Sequence, residues 1–187
     1  MEFLIDEEEP TELAVTVEEM KIFSRVDGDD EDELIEQLIR GVTQEAEDIC
    51  HRAFTLRRVF FTADLPAGGD IVLPVLPVSG VASVKVDGEE VDSELYSVSM
   101  PSSQGRRIRP AVIRPLDGFP EEGTIVIEAF AGGGVPEPVV TWIKTRVSSL
   151  YEQRESHAMF NTGLKFTELG RDYALALLDP YIVHGGF

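Results

Sequence analysis

The chain has a single cysteine, Cys50, among its 187 residues. Without a second thiol it forms no intrachain disulfide and no CxxC half of a zinc site. It is also poor in bases: 16 Lys and Arg stand against 35 Asp and Glu, a net charge of −19 at pH 7. A protein that grips nucleic acid by neutralising phosphates needs clustered Lys and Arg, so that class is disfavoured. Docking on anionic lipid is disfavoured for the same reason. No run approaches the ~20 apolar residues of a membrane span. Met1 to Pro10 is acidic and lacks a basic start followed by an apolar stretch, so no secretory leader is expected there. These absences point to a soluble protein of a reducing compartment. With 43% apolar and 27% charged residues, the composition is ordinarily globular. At roughly 150 residues per domain the length suits one domain, or one domain with an insertion.

The acids are concentrated. Residues 1–36 hold 15 acids and 2 bases, whereas residues 131–187 hold 6 and 5. An acidic arm over 1–14 is expected to be solvated and partly disordered. Thr16 and Glu19 form a capping box for a short helix over about 17–25. Asp27-Gly28-Asp29-Asp30 reads as a turn with a further cap. The longest helical pattern follows over roughly 30–52. Its stripe is Leu34, Leu38, Val42 and Ile49 with Ile35, Ile39 and Ala46. The acids Glu31, Asp32 and Glu33 suit the positive end of its dipole.

Beyond Phe54 the period shortens, and residues 55–131 read as about six short strands between turns. Asp87-Gly88 joins Val81–Val86 to Glu89–Val91 as a two-residue hairpin. After Gly132-Gly133-Gly134, Pro136 and Pro138 open a helix running to about Glu155. A last helix is expected over about 167–178, stopped at Asp179-Pro180, with a tail over 179–187. The expected fold class is α+β. A small bundle of about four helices, 15–54 and 132–178, draws on both halves of the chain. An antiparallel β-subdomain is inserted between them.

Familiar catalytic constellations fail on spacing. A calcium loop starting at Asp27 needs glycine and glutamate where Asp32 and Leu38 stand. Cys50 and His51 are adjacent on a helix and point about 100° apart, so they cannot form a catalytic pair. His51, His157 and His184 have no metal-ligand spacing. Gly132-Gly133-Gly134 is not followed by a lysine and hydroxyl, as a phosphate loop would be, and reads as a tight or flexible turn. No catalytic residue, metal or cofactor is expected. The one basic cluster, Arg106, Arg107 and Arg109 with Arg114, reads either as a solvated strand edge or as a surface that meets an acidic face of another copy. The apolar residues Tyr181, Ile182, Val183 and Phe187 of the tail are candidates for docking on a partner or neighbour.

Four stretches, in order, resemble the tailed-phage head–tail connector family, also called head-completion adaptors, in its longer branch with a β-insert. The first is Val15-Thr16-Val17-Glu18-Glu19-Met20-Lys21 with Asp29-Asp30 and Glu33 to Ile39. The second is Ala46 to Phe54, where Cys50-His51 departs from the more polar or glycine-containing helix end of the family. The third is Ile71-Val72-Leu73-Pro74 with Pro77 to Val84. The fourth is Val126 to Gly133 with Val135 to Val139 and Leu150 to Glu155. The resemblance covers about 15–160. It implies a non-catalytic virion protein that assembles as a ring, usually of twelve copies, beneath the portal. Its partners would be its own copies, the portal, and a tail, tail-terminator or stopper protein. It would act in the neck between capsid and tail after assembly in the host cytoplasm, and DNA would pass without specific binding. An acidic wall repels phosphates and suits that passage. Asp29, Asp30, Glu31, Asp32, Glu33 and Glu36 are the candidates for bore or rim charge. Two alternatives come from the residues themselves. One is a carbohydrate- or protein-binding β-module, which would cluster exposed aromatics drawn from Phe60, Phe61, Tyr96, Phe119 and Phe130. The other is a hydrolase with dispersed carboxylates.

Overall fold

The computed structural model describes residues 2–65, 68–74, 77–100, 108–159 and 175–183, with the side chains of 154–159 excepted. The chain divides into two compact units. One comprises 1–12, 52–134 and 183–187, and the other 13–51 and 135–182.

The helical unit holds α1 (Val17–Ser24), α2 (Asp32–Cys50) and α3 (Glu137–Met159). Thr16 starts α1 as the capping box requires: its hydroxyl accepts from the Glu19 N–H at 3.2 Å. The residue before α2 is Glu31, and it makes no side-chain cap, so the cap expected from the Asp27–Asp30 turn is not formed. The α2 residues Ile35, Ile39, Val42, Ala46 and Cys50 are buried, which is one face of a 3.6-residue period. Leu34, Leu38 and Ile49 flank that face half-buried. On α3, Val139, Ile143 and Val147 are buried at the same spacing, and α2 and α3 pack together. Pairs from Arg146 to Glu45 at 3.3 Å and from Lys144 to Glu19 at 3.4 Å add ties between helices. Helix α2 ends with His51 in the left-handed conformation, φ 52°, its N–H donating to Glu47 O. Glycine usually holds that place; here histidine does, which accounts for the departure at Cys50-His51.

The expected helix at 167–178 lies mostly outside the described residues. In its described end Leu175 is helical and residues 176–178 form a turn, and Pro180 stands inside a short 3-10 helix over Asp179–Tyr181.

The β-unit holds β1 (Leu4–Glu7), β2 (Arg57–Asp64), β3 (Ile71–Val72), β4 (Val78–Val86), β5 (Glu89–Glu90), β6 (Tyr96–Ser99), β7 (Val112–Pro115) and β8 (Thr124–Ala131). Seven strands therefore lie between residues 57 and 131, against about six expected. A five-stranded sheet runs β1-β2-β8-β4-β5 and a three-stranded sheet runs β3-β7-β6. Every pairing is antiparallel. Val59, Phe61, Val84, Ile125 and Ile127 of the first sheet share one core with Ile71 and Ile113 of the second. The Asp87-Gly88 turn forms as expected, with φ of 51° and 86°. Both central residues at positive φ match the strand twist of a tight hairpin. The Asp87 carboxylate also accepts from the Thr124 N–H at 2.8 Å.

The N-terminal arm differs from the expectation of solvated chain. Leu4–Glu7 pairs with Val59–Thr62. Phe3 meets Phe61 edge-on at 5.9 Å, and Glu7 receives Arg57 at 3.2 Å. Four residues that look like tail are thus an edge strand.

Candidate functional site

The six candidate acids at the start of α2 do not form one field. Lys21, from the last turn of α1, sends its ammonium to Asp29 at 2.6 Å and to Asp32 at 2.8 Å. Glu31 accepts a hydrogen bond from the Tyr151 hydroxyl. Glu36 holds Arg40, one turn on, at 2.8 Å. Asp30 and Glu33 are the two that stand exposed with no basic partner among the described residues. Lys21 and Arg40 offset two of the six negative charges, and the Tyr151 hydroxyl bonds to Glu31 without neutralising it.

Hydrogen bonding to Lys21 holds the Asp29 carboxyl below its ordinary value, and the two carboxylates hold Lys21 above its own. The sign follows from which form each partner favours. The Asp29 contribution is present above its ordinary pKa of 3.8 and is lost as the pH falls through its lowered value. The Lys21 contribution is present below 10.5 and is lost as the pH rises through its raised value. Between these limits the clamp is insensitive to pH. Asp29 is 89% exposed, so solvent screens the pair and its effect on stability is small. Lys21→Met is expected to return the Asp29 carboxyl to titration near 3.8, read by carboxyl-carbon NMR. An Asp29 titration unchanged in that variant would mean that Lys21 does not set it.

Of the basic cluster, Arg106 and Arg107 lie outside the described residues. Arg109 is exposed. Arg114, on β7, reaches Asp70 at 3.2 Å, and both side chains are about half exposed. Of the tail candidates, Phe187 lies outside the described residues, and Ile182 and Val183 are half-buried. Tyr181 is 7% exposed and Leu178 fully buried, with the Leu178 carbonyl 4.0 Å from the Cys50 thiol. Tyr181 is thus already engaged within the chain and is not available as a docking group, because the turn at 178–181 returns it to protein rather than to solvent.

Phe61 and Phe119 are buried, and Tyr96 packs edge-on against Phe119 at 6.3 Å. The aromatics that a binding module would display thus contribute largely to the core. Among the described residues no group of three His, Cys, Asp or Glu is placed to hold a metal ion.

Composition did not reveal two features of the β-unit. One is Gly132, whose N–H donates to Pro77 O at 2.9 Å and where a Cβ would stand 2.2 Å from the Thr55 carbonyl oxygen. The other is the pair of four-residue sheet edges, β1 and β6. The edge character of β1 was concealed by its acidic neighbours, Glu2 and Glu7 to Glu9.

Residues 14–94 match the phage gp6-like head-tail connector protein family. No curated protein matches the chain. Among solved structures, it is similar to a chain in the neck of the empty gene transfer agent (GTA) particle computed with C6 symmetry. The TM-score is 0.66 at 19% identity, over 98% of this chain and 97% of that one. A chain of the native GTA virion is similar over the same shares, with TM-score 0.65 and 19% identity. So is one in the native neck computed with C12 symmetry, at 0.60 and 18%. Residues 14–94 are thus similar to the phage gp6-like head-tail connector protein family, and over nearly its whole length the chain has the fold of chains found in GTA particles.

Proposed function

We propose that this chain is a non-catalytic structural connector in the neck of a phage-like particle, between capsid and tail. There it forms a ring of twelve copies that lengthens the DNA channel. The observation that carries this reading is the agreement of two comparisons. The family match covers 14–94, and the likeness to a neck chain spans 98% of this chain and 97% of the other. The C12 symmetry used for the native GTA neck supports the copy number. The net charge supports the channel: twelve chains at −19 each make a strongly negative assembly, and a negative wall does not bind phosphates. In this reading the acids at the start of α2 supply bore or rim charge, and Asp30 and Glu33 among them are exposed with no basic partner among the described residues. In this reading Arg109 and Arg114 meet an acidic face of the next copy, and the portal and a tail or stopper protein are the axial partners.

Electron cryomicroscopy of the purified particle tests this reading. The expected map shows twelve copies in a closed ring under the portal. The chain found elsewhere in the particle, or as an isolated monomer beside an intact neck, would overturn it. Charge reversal tests the bore separately. Asp30→Lys with Glu33→Lys puts two cations into every copy, and each phosphate contact so gained holds DNA in a salt-dependent way. DNA delivery is expected to fall by roughly tenfold or more at low salt and to recover partly at high salt. Delivery unchanged at low salt would place these side chains away from the DNA.

A further inference from the structure

The two sheets of the β-unit end in four edges: β1 and β5 on the first, β3 and β6 on the second. Free edges present unpaired N–H and C=O groups and pair with other chains unless something prevents it. Strand β5 is two glutamates, and β3 is two residues beside Asp70. Strands β1 and β6 are four residues each, and β6, Tyr96-Ser97-Val98-Ser99, carries no charge.

The register shows which backbone groups point outward. The Glu8 N–H donates to Arg58 O at 2.9 Å. In an antiparallel ladder bonded pairs alternate, so Leu4, Asp6 and Glu8 face β2, while Ile5 and Glu7 turn their N–H and C=O to the free side. The Leu116 N–H donates to Leu95 O at 2.8 Å. By the same alternation Ser97 and Ser99 face β7, and Tyr96 and Val98 face outward. Among the described residues each edge therefore offers two residues whose outward donors and acceptors have no partner, at the same spacing.

Charge selects among the pairings. Two β1 edges brought together through Ile5 and Glu7 place Asp6 opposite Asp6, and like charges directly opposite are destabilising. An antiparallel register of Ile5 with Val98 and Glu7 with Tyr96 instead places Asp6 opposite Ser97. Ser97 lies opposite Arg114 on the neighbouring strand. Residues directly opposite share a face, so Asp6 and Arg114 come to the same side of one sheet, two strands or ~10 Å apart.

We propose that copies of this chain join head to tail by adding the outer edge of β1 in one copy to the outer edge of β6 in the next, making a sheet continuous from copy to copy. This rests on the ring reading above and supplies its interface. Such a contact is heterologous, and a heterologous contact generates a ring when its rotation closes, as the ring reading requires.

Proline removes the outward donor without touching the inner ladder, and edge strands tolerate it. Ile5→Pro spoils the β1 edge alone and Val98→Pro the β6 edge alone. Sedimentation velocity of the full chain at concentrations where the wild type forms its ring is expected to show each variant monomeric. An equimolar mixture is expected to form a dimer and nothing larger, because it retains one good β1 edge and one good β6 edge. The dimer also shows that both variants are folded. In the wild-type ring the amides of Ile5, Glu7, Tyr96 and Val98 are expected to exchange at least about tenfold more slowly than in the dilute chain. A ring formed by either variant alone, or unchanged exchange at those amides, overturns the edge pairing and leaves the ring reading intact. Dimerisation of Ile5→Pro alone points to β6 pairing with itself and also overturns it. A wild-type chain that never self-associates overturns both.

Discussion

Gly132→Ala is expected to destabilise the β-unit by at least about 2 kcal/mol more than Gly133→Ala, its immediate neighbour. Both glycines have positive φ, 77° and 97°, so alanine at either pays a conformational cost of about 1–3 kcal/mol. Their surroundings differ. A Cβ on Gly132 would stand 2.2 Å from Thr55 O and 2.7 Å from Thr55 C, both backbone atoms. A Cβ on Gly133 would meet nothing nearer than Leu56 Cδ1 at 3.5 Å. Thr55 cannot yield easily, because the Phe54 carbonyl beside it accepts from the N–H groups of Gly133 and Gly134 at 3.1 and 3.2 Å. Forcing a methyl into that contact moves backbone, which costs about 1–3 kcal/mol beyond the torsional penalty. Denaturant unfolding of the two variants gives the comparison. Equal losses would mean that the close approach is absent and that only torsion matters.

Phe61→Ala is expected to cost about 3–5 kcal/mol, the range for truncating a fully buried aromatic. Phe61 is 0% exposed. It lies in register with Ile5 on one side and Ile127 on the other, and its ring meets that of Phe3. The substitution therefore removes core volume and also takes away the apolar anchor of β1. Loss of the anchor leaves β1 held by its four-residue ladder and by ion pairs from Arg57 to Glu7 and Arg58 to Glu8, and the second of these is too exposed to contribute much. The Asp6 and Glu8 amides, which face β2, are expected to lose more protection from exchange than amides of β8. Phe60→Ala is the control: Phe60 is on the same strand, faces the other side and is only half-buried, so its loss is expected to be well under half as large. Equal effects of the two truncations would contradict the assignment of the core face. If β1 mediates assembly, Phe61→Ala also weakens the ring at protein concentrations where the β-unit is still folded.

Several elements were legible because their cause is local. The stripe from Ile35 to Ala46 repeats with helical spacing inside a single window, and α2 forms there. Thr16 caps α1 through an N–H three residues away. Asp87-Gly88 needs only its own two torsions to turn the chain. The resemblance to head–tail connectors was legible for a related reason, since it rests on strings of such local signals in order.

What the sequence could not show depends on partners distant along the chain. Leu4–Glu7 is acidic and short, and it becomes a strand because β2, more than 50 residues on, offers a ladder and Phe61 offers a surface. Six acids that look like one negative field are divided by Lys21, Arg40 and Tyr151, the last 120 residues from Glu31. Tyr181 looked like loose tail and is buried. Gly132 reads as part of a tight or flexible turn, and only the fold shows that a Cβ there would overlap the Thr55 backbone. The sequence by itself determined the helices, the tight hairpin, the α+β class and the excess of acid, because periodicity, caps and turn torsions act over a few residues. Only the tertiary structure decided which strands are edges, which acids stay exposed and which glycine cannot change, because pairing, neutralisation and close approach depend on residues that no local window contains.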